Sequence, residues 1–249
     1  MKYTVMSDIG QKRSVNEDRA EMFVRSDFVR LGVVADGMGG HNAGDIASDM
    51  AITKIGEFFE SAPPDQFSSE EAIKQWFLHA VKQINSAIFT YSLTHEDCQG
   101  MGTTFLAVVF SDSQKILCHI GDSRAYEWHE GHMKQLTKDH SYVNVLVENG
   151  EISEEEAERH PRKNLITKSL GTEKNIEPDF ISLHIPTYSY LLLCSDGLSN
   201  KLSMEDMKNI LSTDASLQEK GKHLVDLANE KGGEDNISLV LITNTKEEV

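Results

Sequence analysis

Four aspartates stand where a buried strand gives way to a turn. Asp36 follows LGVVA, Asp122 follows ILCHIG, Asp196 follows LLLCS, and Asp235 directly precedes NISLVLI. A carboxylate at the end of an apolar run is poorly placed for solvation, so its charge needs compensation. Taken singly, each is an ordinary turn residue, and three are followed by glycine or asparagine (Asp36-Gly37, Asp196-Gly197, Asp235-Asn236). Taken together, they point to a shared cation site. Carboxylates, backbone carbonyls and water form a hard oxygen set suited to Mg²⁺ or Mn²⁺ and not to zinc. The histidines include no HExxH spacing, and no DxDxDG loop with its closing Glu can be written. His129 and His132 flank an expected hairpin turn and read as surface residues.

Arg13 is the second chemical component. In RSVNED it precedes Glu17 and Asp18 by four and five positions, just before a strand-like segment. Such an arginine is commonly a surface ion pair. Beside a pair of cations it is also a natural fork for two phosphate oxygens.

These residues need a scaffold of short strands. Phe28–Ala35, Thr103–Phe110, Ile116–Ile120, Ala125–Trp128, Met133–Leu136, Phe180–Ile185, Tyr190–Cys194 and Ile237–Thr243 are apolar or alternating runs, with Glu130-Gly131 as a hairpin turn. Helical periodicity marks Ala43–Glu60 and a stronger stripe of Ile73, Trp76, Phe77, Ala80, Val81, Ile84, Ile88 and Tyr91. Ser68 and Glu71 fit a capping box ahead of that stripe. Two more helices are expected at Met204–Leu211 and Leu217–Lys231. The charged stretch Ser141–Pro178 reads as irregular, with a short acidic helix near Glu154–Arg159. Grouped strands with paired helices suggest antiparallel sheets covered by helices, not βαβ units. Only Pro63-Pro64 forms a hard breaker, so 1–249 reads as one domain.

Bulk composition narrows the function. Lys+Arg 24 against Asp+Glu 40 gives a net charge of −16, which disfavours nucleic acid and anionic lipid as partners. Cys98, Cys118 and Cys194 are far apart and form no CxxC pair, so they read as buried hydrophobes in a reducing compartment. The start MKYTVMSDIGQKR lacks a signal-peptide core, and LAVVF and YLLLC are far short of the ~20 residues that span a bilayer. A cytoplasmic location without membrane insertion is expected.

The ordered set RSVNED (13–18), VVADGMGGHNAGDIAS (33–48), GTT (102–104), GDSRAY (121–126), LTKDHS (136–141), SLG (169–171), CSDGL (194–198) and EDNIS (234–238) resembles the metal-dependent type 2C Ser/Thr protein phosphatases, in their compact bacterial form. The resemblance implies an α+β fold, a four-layer αββα sandwich of two antiparallel sheets flanked by helix pairs. It implies two Mn²⁺ or Mg²⁺ ions bridged by Asp36, with the Gly37 carbonyl on one and Asp196 and Asp235 on the other. A third, weaker ion falls at Asp122 together with Asp196. Arg13 matches the substrate-phosphate arginine, Glu17 and Asp18 match residues that orient metal-bound waters, and Thr104 matches a neighbour of that water network. The stretch 141–175, containing HPRKN (160–164), matches a variable flap.

The implied reaction is hydrolysis of phosphoserine and phosphothreonine by direct attack of a metal-bridging hydroxide. No phosphoenzyme and no cysteine-nucleophile loop are expected. Met38 stands where some relatives place a proton-donating histidine, which leaves His41 or metal-bound water as the general acid. Phosphorylated proteins are the implied substrates, a Ser/Thr kinase the implied counterpart, and a monomer the expected state. Two alternatives are an inactive regulatory module of the same fold and a dinuclear phosphodiesterase or nuclease. The full acidic set argues against the first, and the negative charge without a basic groove argues against the second.

Overall fold

The longest apolar runs are buried on both faces, and their period-2 alternation distributes them among stacked core layers. In β5 (Phe105–Phe110), Phe105, Ala107 and Val109 enter one cluster while Leu106, Val108 and Phe110 enter the next. In β11 (Ile237–Thr243), Leu239 and Leu241 face one way and Val240 and Ile242 the other. The second cluster of each pair is the same, the central layer between two sheets. The structure is a computed structural model, and it describes residues 1–25, 29–40, 43–112, 114–184, 186 and 189–244.

Among the described residues one sheet has five strands. Its order is β1 (Lys2–Asp8), β11, β10 (Ser189–Cys194), β7 (Arg124–His129) and β8 (His132–Gln135). The other has six: β2 (Asp18–Val24), β3 (Arg30–Met38), β5, β6 (Lys115–Ile120) and β9 (Asp179–Ser182), with β4 (Gly102–Thr103) on the end of β3. Every pairing is antiparallel. Helices α1 (Ala43–Ser61) and α2 (Glu70–Thr94) cover the six-stranded sheet. On the five-stranded sheet lie the short α5 (Asp196–Ser199), α6 (Met204–Leu211) and α7 (Leu217–Glu230). This is the four-layer αββα arrangement that the resemblance implies.

Several local expectations are corrected. β1 is a strand that its residue pattern does not announce; KYTVMSD is an edge, fixed by its seven-residue pairing with β11. The run Thr103–Phe110 is two strands, because Thr104 breaks the ladder to bond Asp36. The cap of α2 is Ser69, accepting from the Ala72 amide, not a Ser68/Glu71 box; Glu71 instead accepts from Gln75. The stretch read as irregular holds a further helix, α3 (Tyr142–Glu148), before α4 (Glu154–Arg159). Ends of two expected strands, at residues 28 and 185, lie outside the described residues. The Glu130-Gly131 turn is present, with positive φ at both residues.

Asn85, on the buried face of α2, ties down the exit of the 141–175 stretch. Its Nδ2 donates to the carbonyls of Glu173 (2.9 Å) and Lys174 (3.2 Å), and its Oδ1 accepts from the Gly171 amide at 2.8 Å. Truncation would strand buried backbone groups, so Asn85→Ala should cost about 1–3 kcal/mol in urea unfolding. A change below about 0.5 kcal/mol would show that water replaces the side chain.

Candidate metal centre and phosphate site

The antiparallel strands place their ends together at one edge of both sheets. In the β2–β3 register Asp18 stands directly opposite Asp36. The Asp36 main chain is braced from the next strand. Its amide donates to Thr104 Oγ1 (2.9 Å), and its carbonyl accepts from the Thr104 amide (2.9 Å) and from Thr103 Oγ1 (3.0 Å). Thr104 Oγ1 also bonds Ser123 Oγ at 2.7 Å. Thr104 is thus a buried brace of the Asp36 main chain.

Gly37 shows why glycine follows the aspartate. A Cβ there would stand 2.6 Å from the Glu17 carbonyl oxygen and collide with the Gly44 backbone, because β3 passes directly under the start of α1. The Gly37 amide donates to the Glu17 carbonyl at 3.1 Å. The Glu17 side chain meets the Gly44 and Asp45 amides at the same helix start. Gly197 is constrained likewise, its α-carbon facing the Asn236 carbonyl.

Three residues that no motif argument had assigned hold the rest together. Ser195 Oγ donates to Asp18 Oδ2 (2.6 Å) and accepts from the Ser238 amide (3.0 Å). Asn236 staples the loop carrying Arg13 and Glu17: its Nδ2 donates to the carbonyls of Ile9 (2.9 Å) and Val15 (3.0 Å), while its Oδ1 accepts from the Glu17 amide (2.9 Å). Arg124 grips Asp139 through Nε and Nη2, the latter at 2.7 Å from Oδ2. Arg13, half exposed, donates from Nη2 to Asp235 Oδ2 at 2.7 Å. Asp122 and Asp196 line a cleft of about 710 Å³, whose far wall includes Val143, Glu158 and Lys163 from the 141–175 stretch.

The carboxyls are held against their own charge. Burial, with Asp18 and Asp196 nearby, pushes Asp36 well above the usual carboxylate range. Burial and Asp196 take Asp122 up to about 8. Burial lifts Asp18 to about 7 against the hydrogen bond from Ser195. Asp196 is raised by burial and by the nearby Asp235, and its Oδ2 accepts from Asn200 Nδ2 at 3.0 Å. Asp122 Oδ1 is buried with no protein partner. These features fit a cation-binding oxygen set. Among the described residues no group of three or more His, Cys, Asp or Glu side chains is arranged to hold an ion unaided.

Asp18, Asp36, Asp122, Asp196 and Asp235 are therefore brought together, with Arg13, Glu17, Gly37 and Thr104 around them. His41 lies outside the described residues. His132 is exposed, but His129 is only partly so and its Nδ1 is buried. All three cysteines are buried and free. Contrary to the sequence expectation, Cys118 and Arg124 do stand at the CxxxxxR interval of a cysteine-nucleophile loop. The structure disqualifies the pair, since Cys118 lies within β6, fully buried, with burial pushing its thiol well above the normal range.

Comparison with known proteins identifies the family. Residues 10–238 match the family described as protein phosphatase 2C. Protein phosphatase PhpP of Streptococcus pneumoniae is 39% identical over 248 residues, covering 100% of this chain and 99% of PhpP. The serine/threonine phosphatase of S. agalactiae superposes with a TM-score of 0.92 at 40% identity, covering 97% and 98% of the two chains. The Mycobacterium tuberculosis serine/threonine phosphatase PstP/Ppp does so with a TM-score of 0.85 at 35% identity, covering 96% and 97%. The chain belongs to the protein phosphatase 2C family. No helix among the described residues is long and apolar enough to cross a membrane.

The raised carboxyls fix a sign for stability against pH. An acid whose folded pKa exceeds its unfolded value binds more protons when folded, so its contribution is full below about pH 4 and is lost as pH rises through the folded pKa. For Asp18 and Asp122 the loss runs to about pH 7 and about 8. In EDTA, urea unfolding should therefore show lower stability at pH 8 than at pH 5.5, and Asp122→Asn should raise stability at pH 8. Equal stability at both pH values would mean that the cluster carries no charge penalty.

Proposed function

We propose that this phosphatase hydrolyses phosphoserine and phosphothreonine on proteins with two Mn²⁺ or Mg²⁺ ions held at Asp36, Gly37, Asp196 and Asp235, and a third, weaker ion at Asp122. The observation that carries this reading is the gathering of Asp36, Asp196 and Asp122, carboxyls each raised chiefly by burial, with Asp122 Oδ1 buried and unpartnered. Divalent ions bound there supply Lewis-acid polarisation of the phosphate and activation of water at neutral pH.

The chain's own residues do the remaining work. Thr103 and Thr104 hold the Asp36 main chain, and none of these bonds uses its carboxylate oxygens. Asp18, anchored by Ser195, presents one oriented carboxyl to water. Glu17 is set by the α1 amides on the opposite side. Arg13 engages Asp235 through Nη2 only, and its fork supplies donors for phosphate oxygens that gain charge in the transition state. The cleft beneath 141–175 admits the polypeptide flanking the phosphorylated residue, and that stretch serves as the flap. Phosphorylated cytoplasmic proteins are the substrates in this reading, and a Ser/Thr kinase writes the marks it removes.

The test is release of phosphate from p-nitrophenyl phosphate and from a phosphothreonine peptide, with Mn²⁺ and then with EDTA. Activity should require the metal, and Asp36→Ala and Asp196→Ala should each fall below about 1% of wild type. Asp122→Ala should lose turnover while keeping the tightly bound pair of ions. Metal-independent turnover, or substantial activity in both of the first two variants, would overturn the assignment.

A further inference from the structure

His140 sits where three chain segments meet, beside the turn that carries Asp122. Its Nδ1 accepts from the Gly121 amide at 3.0 Å, and its own amide donates to the Gly121 carbonyl at 2.8 Å. Its carbonyl accepts from the Thr167 amide at 2.8 Å, tying the start of the 141–175 stretch to a later part of it, the two also meeting in the Ser141–Ile166 bridge. The ring's other nitrogen, Nε2, lies 3.2 Å from Asp179 Oδ2 and 3.5 Å from Lys168 Nζ. One face stacks on the buried His119 ring, with centroids 4.8 Å apart and planes 18° apart.

The hydrogen bonds fix the tautomer. A backbone amide only donates, so Nδ1 carries no proton and the ring proton is on Nε2, directed at Asp179. Burial and the neighbouring imidazole keep His119 neutral, with its pKa down to about 3, and burial with Lys168 lowers His140. Gly121 cannot be supported by a side chain of its own. Its φ is +108°, and a Cβ would stand 2.6 Å from Thr104 Cγ2. The orientation of the turn into Asp122 therefore depends on the partner of its amide.

We propose that His140 is a positioning residue for Asp122, clamping the Gly121 amide and tying the Asp122 turn to the start of the 141–175 stretch and to Thr167 within it. The inference rests on the reading of Asp122 as part of the working site. Two near-isosteric variants separate the two ends of the ring. His140→Asn keeps an oxygen acceptor near Nδ1 but loses the arm to Asp179, whereas His140→Gln keeps a polar group near Nε2 and loses the acceptor.

In EDTA, hydrogen exchange of the Gly121 amide followed by NMR should be slow in wild type and His140→Asn, and roughly tenfold faster in His140→Gln, as loss of one hydrogen bond implies. With Mn²⁺, kcat should fall roughly tenfold in His140→Gln with KM little changed, and His140→Asn should recover most of that loss. Unchanged Gly121 exchange in His140→Gln, or equal loss of kcat in both variants, would overturn the proposal. Asp122→Ala is the control: if it turns over normally, the reading of Asp122 fails, while the exchange experiment still tests the clamp. Should His140→Gln not fold, Asp179→Ala keeps the ring without its outer anchor and should speed Gly121 exchange by a smaller factor; no acceleration there would also overturn the proposal.

Discussion

The burial that holds this fold together is also what makes its site unstable on its own. Two sheets packed face to face exclude water from the strand ends, and at one edge they bring Asp18, Asp36, Asp122, Asp196 and Asp235 together. Against them the protein sets Arg13 on Asp235 and, more remotely, Arg124, which Asp139 already occupies. Desolvated like charges gathered at one edge cannot all ionise freely, so the cluster must keep protons or acquire cations. The surrounding architecture follows from holding it open against that repulsion.

The following supports act on main chain and leave the Asp36 carboxylate oxygens available. Thr103 and Thr104 hold the Asp36 backbone, Asn236 staples the loop of Arg13 and Glu17, and Asn85 pins the exit of the 141–175 stretch. Gly37 and Gly197 permit backbone approaches that any side chain would block. Such geometry is costly to build from loops. A sandwich supplies it because strand register fixes neighbours to within a fraction of a residue.

Much of this was legible in the residues. Strands buried on both faces must be apolar throughout, so LAVVF, YLLLC and NISLVLI announced themselves, and aspartates at their ends drew notice as misplaced charges. The stripe on α2 was equally plain. What stayed hidden depends on partners distant in sequence. β1 is an edge strand defined by β11, more than 200 residues away. Ser195 and Asn236 look like ordinary polar residues until register brings Asp18 and the Val15 loop against them. The Ser68–Glu71 spacing favours Ser68 as the cap, but the preceding turn takes up Ser68 at its own end and the cap falls to Ser69. The CxxxxxR interval of Cys118 and Arg124 carries the opposite lesson, a spacing whose meaning vanishes once Cys118 lies inside a buried strand.

The central claim is that cations replace protons in a buried acid cluster. Calorimetric titration of the EDTA-stripped protein with Mn²⁺ at pH 7, repeated in buffers of different ionisation enthalpy, measures both ions bound and protons released. The account predicts two tightly bound ions, with release of at least about one proton per protein, because Asp18, raised to about 7, and Asp122, raised to about 8, hold protons at that pH in the metal-free protein. Binding without proton release, or no tight binding at all, would contradict it.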